Sequence, residues 1–467
     1  MAESQTAETG RTRGLVLGVL VLAYTFNFID RTIISTIGQA IKEDLALTDT
    51  QLGLLGGLAF AVLYTTLGIP IARLAERTSR VNIIAAATAV WSAFTALCGV
   101  AQGYWQLMLM RVGVGVGEAG LSPPAHSLIS DYYPPEKRAT ALSIYSLGIP
   151  LGVMFGAAAG GWIAEHLSWR HAFVLVGLPG LAVALAVKFL IREPPRGQWD
   201  AGGAAAEAPP PFISVLRRLF GQWGLVHMLA GVTLVSMAAY GVNQYSAPYF
   251  IRTFGLSYST VGVVFGLVVG VSTGVGTLLG GYLTDWAGRR SVRWYALAPA
   301  IGVSLAFPLY AWAYSAPSWQ WAAWLMVLPG VFHFTYVGPS FGVIQNAVEP
   351  RMRATAAAIL LFVVNFFGLG FGPPICGWMI DQFSAAAFAA NDLGAYLELC
   401  PGGIGAEGAD PAVDSACRQA AATGARRGIL VMLCFFAWGA LHYYLAALTL
   451  PKRLGAQTPL AAGADAR

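Results

Sequence analysis

The sequence predicts an all-α membrane protein: twelve transmembrane helices in two six-helix bundles related by pseudo-two-fold symmetry. Composition is the first of three observations behind this. Of 467 residues 56% are apolar and 11% charged, with a mean hydropathy of +0.61, whereas soluble domains carry roughly 25% charged residues. The second is the recurrence of apolar runs near the roughly 20 residues that cross a bilayer. The third is an internal repeat. Leu74, Glu76 and Arg80 return at the same spacing as Leu283, Asp285 and Arg289; Arg138-Ala139-Thr140-Ala141 returns as Arg353-Ala354-Thr355-Ala356, and Gly161-Trp162 as Gly377-Trp378. Two copies of one membrane unit explain all three matches.

The spans read, in order, 14–41, 49–72, 81–102, 104–131, 139–166 and 169–191 for the first bundle, and 222–253, 259–285, 293–314, 318–347, 353–381 and 427–450 for the second. Residues 1–13 form an N-terminal tail, 192–221 a Pro/Gly/Ala-rich linker, and 451–467 a C-terminal tail, both ends being expected disordered. Phe212–Phe220, at the end of the linker, has the pattern of a short amphipathic helix on the membrane surface. The polar head Met1–Arg13 leads straight into a run too long for a secretory signal, so the first span is expected to serve as the insertion signal. Two spans carry glycine every fourth residue, Gly148 to Gly160 in the fifth and Gly262 to Gly274 in the eighth. Such stripes let backbones approach closely, and their pairing predicts a contact between the two bundles.

Nineteen basic residues, among them Arg73, Arg77, Arg80, Arg289 and Arg290, fall in the tails and loops of one side, and six on the other. The positive-inside rule therefore predicts both termini in the cytoplasm, with the protein in the plasma (inner) membrane. The net charge of +5 has a topological origin and gives no support to a nucleic-acid partner. Between spans eleven and twelve, residues 382–426 read as an extracytoplasmic loop. Cys400 and Cys417 lie there, and an oxidising compartment would join them in a disulfide. Cys98, Cys376 and Cys434 sit in apolar spans and read as packing residues.

Ionisable side chains at membrane depth cost at least about 2.5–3.5 kcal/mol each, so they mark function by default. The first bundle has four. Tyr24, Asn27, Arg31 and Ser35 share a stripe of span one, and Asp30 projects about 100° to the side. Arg111, Glu118 and Ser122 share a face of span four, but Arg111 and Glu118 stand roughly 10 Å apart along the axis, too far for a tight pair. The economical arrangement pairs Arg31 with Glu118 and leaves Asp30 and Arg111 for a second contact. The structural reading of this cluster is an ion-pair network holding the bundle together. In the functional reading, Asp30 and Glu118 exchange protons, and a substrate anion competes with Glu118 for Arg31.

Membrane charge is nearly absent from the second bundle. Its candidates are Tyr240, Asn243, Gln244 and Tyr245 in span seven, His333 and Tyr336 in span ten, and Asn365 in span eleven, expected to contact apolar substrate. Gly113-x-Gly115-x-Gly117 follows no strand, so it is no nucleotide loop. Neither a phosphate loop nor a metal-ligand cluster is evident, and no cofactor or enzymatic chemistry is expected.

The repeated turns resemble the signature loops of the major facilitator superfamily, with Glu76 and Ser79 departing from the pattern in the first copy and Gly281–Arg290 close to it in the second. Phe28-Ile29-Asp30-Arg31, Arg111 through Ala119, Ala141-Leu142-Ser143-Ile144 with Ile149-Pro150-Leu151-Gly152, and Arg192-Glu193-Pro194-Pro195-Arg196-Gly197 resemble the spinster-like branch. The resemblance implies a monomeric secondary transporter working by alternating access. It implies proton coupling at Asp30 and Glu118, substrate binding at Arg31, and an amphipathic anionic lipid as cargo, of the sphingosine-phosphate or lysophospholipid kind. It also implies that Glu76, Arg77, Arg80, Asp131, Asp285 and Arg289, together with the repeated Arg138 and Arg353, latch the outward-facing state. A proton- or sodium-coupled symporter of a small organic anion is the alternative, and an uncoupled scramblase or receptor the third reading.

Overall fold

The computed structural model describes residues 2–197, 212–349, 352–390 and 394–450, which are helical with no strand among them. The first bundle contains α1 (Ala2–Thr36), α2 (Gly38–Asp44), α3 (Asp49–Gly56), α4 (Leu58–Arg77), α5 (Arg80–Cys98), α6 (Tyr104–Glu118), α7 (Ser122–Tyr132), α8 (Pro135–Ser146), α9 (Gly148–His166) and α10 (Trp169–Leu190). After the linker helix α11 (Phe212–Phe220), the second contains α12 (Trp223–Phe254), α13 (Tyr258–Gly288), α14 (Trp294–Ala313), α15 (Trp319–Phe334), α16 (Val337–Asn346), α17 (Arg353–Val363), a π-helical turn Val364–Leu369, α18 (Gly370–Ala389), α19 (Tyr396–Leu399) and α20 (Pro411–Thr449). Eleven helical stretches among the described residues are long and apolar enough to cross a membrane. The expected fourth span is the twelfth. It is split at residues 119–121 into α6 and α7, each too short to qualify alone. Each bundle has its own apolar core.

Helix starts follow local chemistry. Thr48 and Gln51 form a capping box on α3, each side chain bonding the other's backbone N–H at 3.1 and 2.9 Å. Ser79, Ser168 and Ser257 cap α5, α10 and α13. In the eleventh span Pro373 and Pro374 remove two ladder donors, freeing the carbonyls of Leu369 and Gly370 beside the π-helical turn. Gly57 breaks the second span opposite them. A Cβ there would lie 2.7 Å from the Leu369 oxygen and 3.0 Å from that of Gly370, so only glycine lets these two bundles meet.

Three expectations are corrected. First, α20 starts at Pro411 and α18 runs to Ala389, so the expected loop 382–426 shrinks to 390–410; the Ala-rich run 411–426 favours helix and extends the apolar span that nucleates it. Second, α1 covers residues 2–13 of the expected disordered tail, continuing backward from the apolar span that nucleates it, while the C-terminal tail 451–467 lies outside the described residues. Third, the glycine stripe of the fifth span does not face the other bundle. Gly148, Gly152 and Gly156 pack on Tyr24, Thr25 and Ile29 of α1. The α13 stripe does cross between bundles: Gly262 meets Ala157 and Gly161 of α9, and Gly266 meets Met154. Toward the face bearing the chain termini this contact fades, for Gly270 reaches only the Met154 side chain and the Pro150 carbonyl, and Gly274 faces open space. Along this seam the bundles thus part toward the terminal face and meet toward the opposite face, which carries a Cys400–Cys417 disulfide with Cα atoms 5.5 Å apart.

Candidate functional site: a charged centre in the first bundle

Arg31 Nε lies 2.6 Å from Glu118 Oε2, bridging α1 and α6. Glu118 is fully buried, whereas the Arg31 side chain keeps 19% of its surface exposed, so the guanidinium presents one side to the acid and another to the space between bundles. The rings of Phe28, Phe60 and Tyr64 surround its carbon at 5.3, 4.9 and 4.5 Å. Cation–π contacts give roughly 0.5–2 kcal/mol each, so the ring cage holds Arg31 in place while the carboxylate satisfies its charge. Asp30, turned off the stripe, is 3.7 Å from Arg111 on the same two helices, with both side chains 1% exposed. This second contact is loose. Both Asp30 oxygens, Arg111 Nε and Nη1, Glu118 Oε1 and Asn27 Nδ2 are buried without a protein hydrogen bond. Each such group costs about 1–3 kcal/mol unless something else satisfies it. Tyr24 stacks on Tyr145 at 4.3 Å beside this centre, and Ser122 opens α7 one turn beyond Glu118.

The second-bundle candidates separate into three groups. Tyr240 is half-buried within electrostatic reach of Arg31 and Tyr64, and Asn243 is half-buried one turn further along α12. Gln244 and Tyr245 belong to the contact between bundles: Ser35 Oγ donates to Gln244 Oε1 at 3.1 Å, and the Tyr245 hydroxyl donates to the Asp49 carbonyl. His333 and Tyr336 stack at 5.7 Å inside the second core, with Phe436 4.9 Å from the imidazole and Ser236 Oγ 3.3 Å from the Tyr336 hydroxyl. Asn365, in the π-helical turn, donates to the Leu361 carbonyl at 2.8 Å. Of these, Tyr240 is the one within electrostatic reach of Arg31.

The family model of the Major Facilitator Superfamily matches residues 20–373. The chain belongs to this superfamily. It is a membrane transporter of that fold, and its similarity runs to the spinster-like branch. A solved bacterial homologue of the human lysosomal transporter Spinster, inward-facing and unoccupied, is 34% identical and superposes with a TM-score of 0.86 over 94% of this chain and 97% of that one. An MFS-type efflux pump of Mycolicibacterium smegmatis is 31% identical over 81% of this chain and 86% of its own length. A sphingosine-1-phosphate transporter of Danio rerio is 24% identical (84% and 82%), and a hexuronate transporter of Bacillus subtilis 25% identical (82% and 92%).

At the terminal face of this transporter the signature turns are tied down locally. Arg80, 1% exposed, bonds Asp131 and also reaches Glu193 Oε1 at 2.7 Å. Glu193 Oε2 accepts from Val81 N at 3.0 Å and from Ser79 Oγ at 3.1 Å, so the start of the linker caps α5. Arg196 Nη2 donates to the carbonyls of Ala75 and Thr78 at 2.7 and 2.6 Å, closing the end of α4, and Gly197 N donates to Asp131 at 3.1 Å. Burial raises the Glu193 carboxyl, but the Val81 N–H and the Arg80 guanidinium outweigh it and hold the carboxyl below its usual range. Arg138 donates to the Ser130 and Tyr133 carbonyls at 2.9 and 3.3 Å, and Asp285 accepts from the Tyr295 hydroxyl at 3.1 Å. Glu76, Arg77, Arg289 and Arg353 are exposed in this conformation.

Sequence reasoning missed the charges of the disulfide face. Lys42, Asp49, Arg252 and Asp381 read as loop charges or span ends, yet they converge in one buried cluster. Their signal was available: Lys42 and Arg252 are two of only six basic residues on that side.

Proposed function

We propose that this transporter moves an amphipathic anion by alternating access coupled to protons, with both termini cytoplasmic in the plasma (inner) membrane and the open terminal face as the inward gate. The observation that carries the reading is the two-sided environment of Arg31: a fully buried Glu118 on one side, partial exposure and three aromatic rings on the other. An anionic headgroup entering the open side competes with Glu118 for the guanidinium. A buried carboxylate that loses its cation favours the protonated form. Cargo and proton thus bind together, with Asp30 and its loose Arg111 contact as the second proton station.

Tyr240 lines the approach to Arg31, and the apolar tail lies against the half-buried part of α12. The sphingosine-1-phosphate transporter among the relatives favours a lipid anion; the hexuronate transporter favours the second reading, a small organic anion. A single chain supplies the whole site, so the monomer is the working unit. Glu76, Arg77, Arg80, Asp131, Arg138, Asp285, Arg289 and Arg353 act as the cytoplasmic latch when the terminal face closes.

The test is purified protein in liposomes with an internal pH dye, challenged with sphingosine phosphate, lysophospholipids and small organic anions. Proton flux with the lipid anions alone supports the first reading, and flux with small anions alone replaces it with the second. Lipid movement without proton flux overturns coupling.

A further inference from the structure

We propose that His227 and His442 form a binding site for a divalent transition-metal ion of the zinc, nickel or copper kind, which clips the first spanning helix of the second bundle to its last. The site stands apart from the Arg31–Glu118 centre and does not depend on the cargo.

Glycines bring the two helices together. α12 and α20 run side by side in opposite directions: a Cβ on Gly224 would lie 3.0 Å from the Leu450 nitrogen, one on Gly231 3.1 Å from the Tyr443 ring, and one on Gly439 2.7 Å from the Val235 side chain. At this spacing His227, one turn before Gly231, and His442, three residues after Gly439, meet on a shared edge. Their Nδ1 atoms lie 3.0 Å apart, with ring centroids at 5.2 Å and planes tilted by 47°. Both rings are half-buried. Trp223 opens α12 one turn before His227, with its ring 6.2 Å from the imidazole and 73% of its surface exposed. Exposed tryptophan at a helix start marks the membrane–water boundary, so His227 lies about 6 Å along the axis from that boundary. Trp438, 6.3 Å from the His442 ring, covers the other flank.

A hydrogen bond across the gap occupies one lone pair, whereas a metal ion takes one from each ring. Zinc holds imidazole nitrogen at about 2.0–2.1 Å, which sets two such nitrogens roughly 2.9–3.4 Å apart for angles from square to tetrahedral. The 3.0 Å between the two Nδ1 atoms falls inside that span. Among the described residues His227 is the one titratable group within electrostatic reach of His442, so no fixed cation repels the ion there. No third His, Cys, Asp or Glu completes a cluster among those residues, so water fills the remaining positions and the ion exchanges freely. Imidazole donors select zinc, nickel and copper, while magnesium and calcium prefer oxygen. Loading needs both rings neutral, so it is lost as pH falls below the ordinary histidine value of about 6.5.

The experiment titrates zinc chloride and magnesium chloride into the purified full chain, free of any polyhistidine tag, and follows the unfolding midpoint of wild type, His227→Gln and His442→Gln. Millimolar zinc is expected to raise the wild-type midpoint by about 3 °C at about pH 7.5 and to leave it unchanged at about pH 5.5, with no rise in either variant and none from magnesium. Copper-loaded wild type is expected to show two imidazole nitrogens by electron paramagnetic resonance and each variant at most one, a readout that holds even where a variant is less stable. An equal rise in all three proteins would place the metal elsewhere. A wild type with neither a rise nor a two-nitrogen spectrum would leave a hydrogen-bonded pair only, and either result overturns the site.

Discussion

The two bundles descend from one repeated pattern but bury different chemistry. The first encloses Asp30, Arg31, Arg111 and Glu118 with several polar atoms lacking a protein partner, whereas the second encloses His333, Tyr336, Tyr310 and Phe436 stacked on one another. Under the proposed function the scaffold would separate two tasks: charge capture and proton exchange would fall to the half that can present an ion pair to an anion, and apolar contact to the half with rings. His333 packs against the rings of Tyr310, Phe334, Tyr336 and Phe436, and its two nitrogens, like the first-bundle atoms, are buried without a protein partner.

Arg31→Ala gives the sharpest break of that contrast. It is expected to weaken anionic cargo binding about 100-fold, the loss of one charge-assisted contact, and Tyr336→Ala by no more than about threefold. Isothermal titration of both variants ranks them, and the reverse order would give the tail the larger share of affinity. Next in size is Glu118→Gln, which keeps the shape of the site and removes its titrating group. Transport should persist while its dependence on pH disappears; a full wild-type pH profile with full activity would refute the role of Glu118. Asp30→Asn should flatten that profile only in part, which a pH series in the same liposome assay measures. His333→Gln should leave the pH profile unchanged, and a shifted profile would place a proton station in the second bundle.

The smallest effect concerns the linker. Because the Glu193 carboxyl is held below its usual range, its grip on α5 is fully present above the unfolded value of about 4.3 and is lost as pH falls through the lower folded value. Amide exchange over 79–83 should therefore accelerate only in acid for the wild type, and at all pH values for Glu193→Gln.

The fold was legible because a bilayer imposes a strong filter on composition, and because duplication repeats the Glu76 and Asp285 turns. The Arg31–Glu118 pair was legible too, since helical periodicity turns Asp30 aside and the axial rise excludes an Arg111–Glu118 pair. What escaped depends on tertiary placement. Nothing in the run Gly148 to Gly160 says that α1 covers it while Gly262 and Gly266 reach across to α9. Gln244 and Tyr245 share span seven with Tyr240, but the helix carries them out of the central space into the closed face. Asp49 and Asp381 stand 332 residues apart, and only the packing of α3 on α18 shows that one caps the other's helix.

The central claim, that cargo and proton share the Arg31–Glu118 pair, is tested most directly by proton uptake when sphingosine phosphate is added to the purified protein in weakly buffered solution. Uptake by wild type that is absent from Glu118→Gln, with cargo still bound by both, is the predicted result. Equal uptake by both proteins, or cargo binding to wild type with no uptake at any pH, would contradict it.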